Sequence, residues 1–149
     1  MIGFRRRSAL IAVVLSLSFN FAHAIDNPDT PDLTAEFLSR ADAFEQAIYQ
    51  HAQTTEQTDQ AYRDYAEFLD KALNRAYSSL QKNLPEPSKQ TLLRSQRLWL
   101  QFRDAELDFI NGNWTTEQFG SSSAISRHGY RTALIKSRVL ELLQYLKNY

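Results

Sequence analysis

The chain has 149 residues, one domain's length and enough to bury a core without staples. Seventeen Lys and Arg balance 17 Asp and Glu, and there is no Cys. That composition excludes disulfides, a cysteine nucleophile and thiolate metal sites.

Arg5-Arg6-Arg7, the apolar run Ser8 to Phe21 and the small-x-small triplet Ala22-His23-Ala24 predict a secretory signal peptide over 1–24, cut after Ala24. The run is shorter than the roughly 20 residues of a membrane span. No Cys follows it for lipid attachment, so no membrane association is expected after cleavage. The signal carries three Arg and no acid, which leaves 14 basic against 17 acidic residues in the mature chain. A mildly acidic, periplasmic or secreted protein is expected. Its charge argues against nucleic acid and suits a basic protein partner.

Residues 25–32, with Asp26, Pro28, Asp29 and Pro31, predict a flexible leader, and 33–149 a single helical domain. Asp32 or Thr34 can cap a first helix over 33–52, with Leu33, Phe37, Ala41, Phe44, Ala47 and Ile48 on one face. Gln53 to Thr58 reads as a polar connector. A second helix over 59–83 carries a stripe from Tyr62 and Tyr65 through Leu69, Leu73 and Ala76 to Leu80. Glu67 and Lys71 form an i,i+4 pair on it. Asn74, a poor helix former, is either exposed or a partner for a buried group. Leu84 to Ser88, with two prolines, breaks the helix, and Ser88 can cap the next.

The third helix, 88–110, is the longest unbroken helical pattern. Leu92, Gln96, Trp99, Arg103, Leu107 and Ile110 share one face, broadened by Leu93, Leu100 and Ala105. Gln96 and Arg103 on a packing face need partners, since burying them unpaired costs several kcal/mol. The preferred reading is structural, with Arg103 paired to a carboxylate and Gln96 bonded to a neighbouring helix. The alternative is an exposed groove where Trp99 and Arg103 meet a partner.

Asn111-Gly112-Asn113 is a stop signal, and Trp114 to Ser123 reads as irregular. A fourth helix over 124–147 buries Ile125, Leu134, Ile135, Val139, Leu142 and Leu146, with Arg138 near that face and Gly129 weakening its first turns. No strand is predicted. The fold class is all-α: an antiparallel bundle of about four helices without disulfides, helices two to four forming the core and helix one alongside.

Credible catalytic chemistry is scarce. Asp104 and Asp108 lie one turn apart but show no converging pocket, which is the pattern of a solvated face. No Glu-x-x-His or His-x-x-x-His occurs for a bundle metal site, and no Gly-rich phosphate loop is present. His128 follows Ser121-Ser122-Ser123 without a nucleophile-elbow signature and reads as a surface histidine. Neither cofactor nor metal is expected, and the chain reads as a non-enzyme. The candidate contact surface is the segment Trp114 to Ser123, where Trp114 and Phe119 stand among small hydroxyl residues. The alternative, which so apolar a loop favours, is that both aromatics fold back and close the end of the bundle.

Gln96-Arg97-Leu98-Trp99-Leu100-Gln101-Phe102-Arg103-Asp104-Ala105 resembles the Q-R-x-W-x-x-(F/Y)-R-D-A signature of the LprI-type lysozyme-inhibitor family of exported bacterial helical domains. Asp70-x-x-Leu73-Asn74-x-x-Tyr77 looks like that family's D-x-x-L-N-x-x-Y element. Gly120-Ser121-Ser122, followed by Thr132, Arg138 and Leu142, is similar to its Gly-Ser loop and last helix. The resemblance covers roughly residues 58–146 and implies structural roles for Asp70, Leu73, Asn74, Tyr77, Gln96, Trp99, Arg103, Asp104 and Arg138. Members commonly carry two cysteines where this chain has Leu107 and Tyr130, so a Leu–Tyr contact is expected in place of a bridge. The resemblance implies inhibition of a lysozyme-like muramidase by cleft occlusion. The expected contacts are Trp114, Phe119, Ser121, Ser122, Arg127 and Arg131. The alternative function is a periplasmic envelope interaction or immunity module with another protein partner.

Overall fold

The computed structural model describes residues 32–149. The predicted signal peptide and all but the last residue of the leader lie outside the described residues. Helix α1 (Leu33–Gln46) opens on Asp32, whose carboxylate accepts from the backbone N–H groups of Thr34 and Ala35, each at 3.0 Å. One π turn, Ala47–His51, ends it.

Helix α2 (Thr55–Asn83) begins four residues earlier than the sequence suggested. Thr54 and Gln57 form a capping box: the Gln57 N–H donates to the Thr54 hydroxyl, and the Thr54 N–H donates to Gln57 Oε1, both at 3.2 Å. Most of the supposed polar connector is therefore helix. Helix α3 (Glu86–Asn113) also starts early, with Pro85 before it and Pro87 in its first turn, where a missing N–H costs nothing. Ser88 does not cap it. At the other end α3 runs through Gly112, and the Asn113 amide donates to the Phe109 carbonyl at 2.8 Å. The segment expected to be irregular holds a one-turn helix α4 (Thr116–Phe119) and a 3₁₀ turn (Gly120–Ser122), before α5 (Ser123–Leu146). The described residues form an antiparallel bundle of four long helices without a strand.

The core lies chiefly between α2 and α5, where Tyr62, Leu69, Leu73 and Leu80 meet Ile135, Val139 and Leu142. Gly129 permits that approach, because a Cβ there would stand 3.3 Å from the Tyr62 hydroxyl. Helix α1 adds Phe37 and Ala41, and the π turn after it adds Ile48. The Phe37 and Phe44 rings of α1 stack on Phe68 at 5.8 and 4.7 Å. Phe68 falls outside the predicted stripe because α2 is covered on two sides, which widens its buried arc. Glu45 ties three helices together: it accepts from Tyr65 of α2 at 2.7 Å and Lys136 of α5 at 2.6 Å. Burial pushes the Glu45 carboxyl up, but the bonds from Lys136 and Tyr65 outweigh it and hold the group below its ordinary range.

One expectation about the core is corrected. Helix α3 is marginal to it, giving the main cluster only Leu92 and otherwise burying Gln96 and Ile110. Its packing face carries Gln96 and Arg103 among its apolar residues, and deep burial would require partners for both.

Candidate functional site

Residues that the sequence singled out gather in three places. The first is the seam of α3 against α5. Arg138 is 5% exposed, and its Nε and Nη2 both donate to Gln96 Oε1 at 3.1 Å. Its Nη1 reaches Glu141 at 2.8 Å and its Nη2 reaches Ser95 at 3.3 Å. The guanidinium also lies 5.7 Å from the centre of the Trp99 ring. Gln96 thus bonds the neighbouring helix, through Arg138. Arg103 stays on its own helix, donating twice to adjacent Asp104 at 2.9 and 2.7 Å and lying over Trp99 at 5.6 Å. Asn74 takes no part: it is exposed on α2. Ser95 and Glu141 were missed, being ordinary surface residues of a helix until Arg138 selects them.

The second place is the end of the bundle formed by α4, the 3₁₀ turn and the start of α5. Its two aromatics part company. Trp114 folds back, edge-on to Tyr130 at 5.6 Å, and its carbonyl accepts from Arg127. Phe119 stays out, 56% exposed, with Ser121 and Ser122 beside it. A shallow cleft of about 270 Å³ runs between Trp114, Phe119, Ser122, Ser123 and Ser126. Gly120 (φ +70°, ψ −167°) makes the bend that keeps Phe119 outside, a conformation almost confined to glycine. The Tyr130 hydroxyl donates to Glu106 at 2.7 Å. A link between α3 and α5 therefore exists where the resemblance pointed to a bridge, made by the residue next to Leu107.

The third place is a groove of about 370 Å³ between α2 and α5. Asp70, Asn74 and Arg131 line it together with Arg63, Lys71 and His128. His128 is no free surface histidine: its Nε2 lies 2.8 Å from Asp59 and its ring stacks on Tyr62 at 5.8 Å. Leu73 is in the core, while Tyr77 is half-buried and accepts from the Gln81 amide at 3.0 Å. Arg127 and Arg131 stand one turn apart on α5, so the groove and the bundle end adjoin. This groove was not legible as a unit, because its residues belong to helices separated by the whole of α3.

Asp104 and Asp108 are both exposed, and Asp104 is held by Arg103. No three His, Asp or Glu converge as a metal site among the described residues. No described helix is long and apolar enough to cross a membrane. What the bundle end offers is shape and hydrogen bonding: one exposed aromatic, several hydroxyls and Arg127 on a helical base, with Arg131 one turn away in the adjoining groove.

A family model described as lysozyme inhibitor LprI matches residues 47–142, from the π turn through α2, α3 and α4 into most of α5. Comparison with curated proteins and with solved structures gave no match. The matched span contains the Gln96–Arg138 seam, the Phe119 end and the Asp70 groove. The chain belongs to the LprI lysozyme inhibitor family.

Proposed function

We propose that the protein is exported, loses residues 1–24 and blocks a lysozyme-type muramidase by seating the bundle end at the enzyme's cleft. The observation that carries this reading is Phe119, an exposed aromatic held out by Gly120 beside a cleft lined by hydroxyls. Exposed aromatics on a rigid base are the usual anchors of a protein contact. Ser121 and Ser122 supply adaptable hydrogen bonds. In this reading Arg127, beside Trp114, and Arg131, one turn along α5 in the adjoining groove, meet the two carboxylates on which glycoside hydrolysis depends. Occlusion requires no reaction of the inhibitor, which agrees with the solvated setting of Asp104 and Asp108. The mature chain's excess of acid over base steers it toward a basic enzyme and makes association sensitive to salt.

A turbidity assay with purified protein tests this. Slower lysis in proportion to added protein, lost in Phe119→Ser, is expected. An unchanged lysis rate at large molar excess would sink the proposal for that enzyme.

A further inference from the structure

Helix α3 has a second apolar face that nothing in the described structure covers. Leu98, Phe102 and Phe109 are 55%, 50% and 59% exposed, three of the nine exposed large hydrophobic side chains among the described residues. With exposed Ala105 they recur at spacings of four, three and four, the a and d positions of a heptad. They fall within a sector of about 60° and extend about 16 Å along the helix. The face that meets the core, with Leu92, Gln96 and Ile110, points elsewhere. Scattered apolar residues are ordinary on a surface, but a contiguous stripe marks an interface.

We infer that a second copy of this chain covers the stripe, the two α3 helices running antiparallel. The charges beside the stripe choose the occupant. Arg94, Arg97, Gln101, Asp104 and Asp108 form one exposed row along its flank. Arg94, Arg97 and Asp108 make no ion pair among the described residues, and Asp104 meets only Arg103, its neighbour in sequence. The row is basic at one end and acidic at the other. A parallel pair would set the two rows on opposite sides of the contact, where neither meets the other. Reversal sets Arg94 and Arg97 of one copy toward Asp108 and Asp104 of the other.

The same reversal satisfies packing. A two-fold axis between Phe102 and Ala105 layers Phe102 on the partner copy's Ala105, and Leu98 on its Phe109. Ser95 then meets Gly112, so small residues close both ends of the contact without a clash. One helical stripe is smaller than the roughly 1,200–2,000 Å² of a standard interface, so the pair forms reversibly at micromolar or higher concentration.

Sedimentation of the purified protein from about 1 μM to 1 mM spans the affinities such a contact can reach. A monomer–dimer equilibrium is expected, weakened by salt and weakened at least about 100-fold in Phe102→Asp, whose far-UV circular dichroism stays helical. The absence of native cysteines permits a test of direction. Mixed under oxidation, Leu98→Cys and Phe109→Cys chains should join to each other, while Leu98→Cys alone stays unjoined, since a disulfide needs Cα atoms within about 7 Å. A monomer throughout the range would overturn the inference. So would a dimer indifferent to Phe102→Asp, or self-joining of Leu98→Cys, which means a parallel pair. Because Phe119 lies off the stripe, Phe102→Asp should keep any lysozyme inhibition. Loss of inhibition in that variant would make the stripe an enzyme contact instead.

Discussion

Gln96→Leu is the substitution that most directly probes the seam between α3 and α5. The amide oxygen it removes accepts both Nε and Nη2 of Arg138, a guanidinium almost wholly inside the protein. A hydrogen bond to a charged group contributes roughly 1.5–3 kcal/mol, and a buried charge left short of acceptors costs its desolvation. Two bonds sharing one acceptor do not simply add, so about 2–3 kcal/mol is expected. For a domain of this length that lowers the melting temperature by roughly 10 °C. The Glu141 carboxylate on the same guanidinium is 49% exposed, so Glu141→Ala should cost under about 1 kcal/mol. Arg138→Met strands the Gln96 amide and should cost about 1–3 kcal/mol. The double variant Gln96→Leu with Arg138→Met removes both polar partners, and replacing a buried polar pair by apolar groups is often neutral. Urea denaturation of the four proteins should give a double variant at least about 1 kcal/mol more stable than the summed singles. Additivity within about half a kcal/mol, or a harmless Gln96→Leu, would refute the reasoning.

Gly120→Ala places a Cβ in a backbone region almost confined to glycine and should cost about 1–3 kcal/mol, read by the same denaturation series. Thr54→Ala removes half of a capping box and should cost about 1 kcal/mol, with the loss of amide protection confined to the first turn of α2. Arg103→Ala breaks a pair with an exposed neighbour and should cost under about 1 kcal/mol in a thermal melt. Glu45 titrates below its ordinary 4.5 when folded, so its contribution is present above that pH and is lost as pH falls through the folded value. Glu45→Gln should flatten the acid side of the stability profile. Burial, and then the Glu45 contact, raises the Tyr65 hydroxyl above its ordinary 10.0, so its contribution is present below that pH and is lost as pH rises through the folded value. Stability should therefore decline on the alkaline side as well.

The long helices were legible because periodicity is strong in α2 and α5 and prolines mark the break between α2 and α3. Ends were less so. The start of α2 depends on a side-chain cap at Thr54, and α3 outlasts its glycine because the Asn113 amide and the Trp114 N–H still find carbonyl acceptors. Gln96 was recognisable as a polar residue on a packing face, but its partner was not. Arg103 shares that face, and only the pairing of α3 with α5 shows that the cation it meets is Arg138. The marginal position of α3 and its second stripe of Leu98, Phe102 and Phe109 were hidden by the first. A helix with apolar residues on two faces does not say which one the fold will cover. Trp114 and Phe119 looked alike in the sequence, and the bend at Gly120 separated them.

The most direct test of the account is titration of the purified protein into hen-type and bacterial lysozymes at low and high salt, with Phe119→Ser alongside. The account predicts stoichiometric binding to at least one enzyme, weaker at high salt and lost in Phe119→Ser. Absence of binding to all of them, or binding that Phe119→Ser leaves intact, would contradict it.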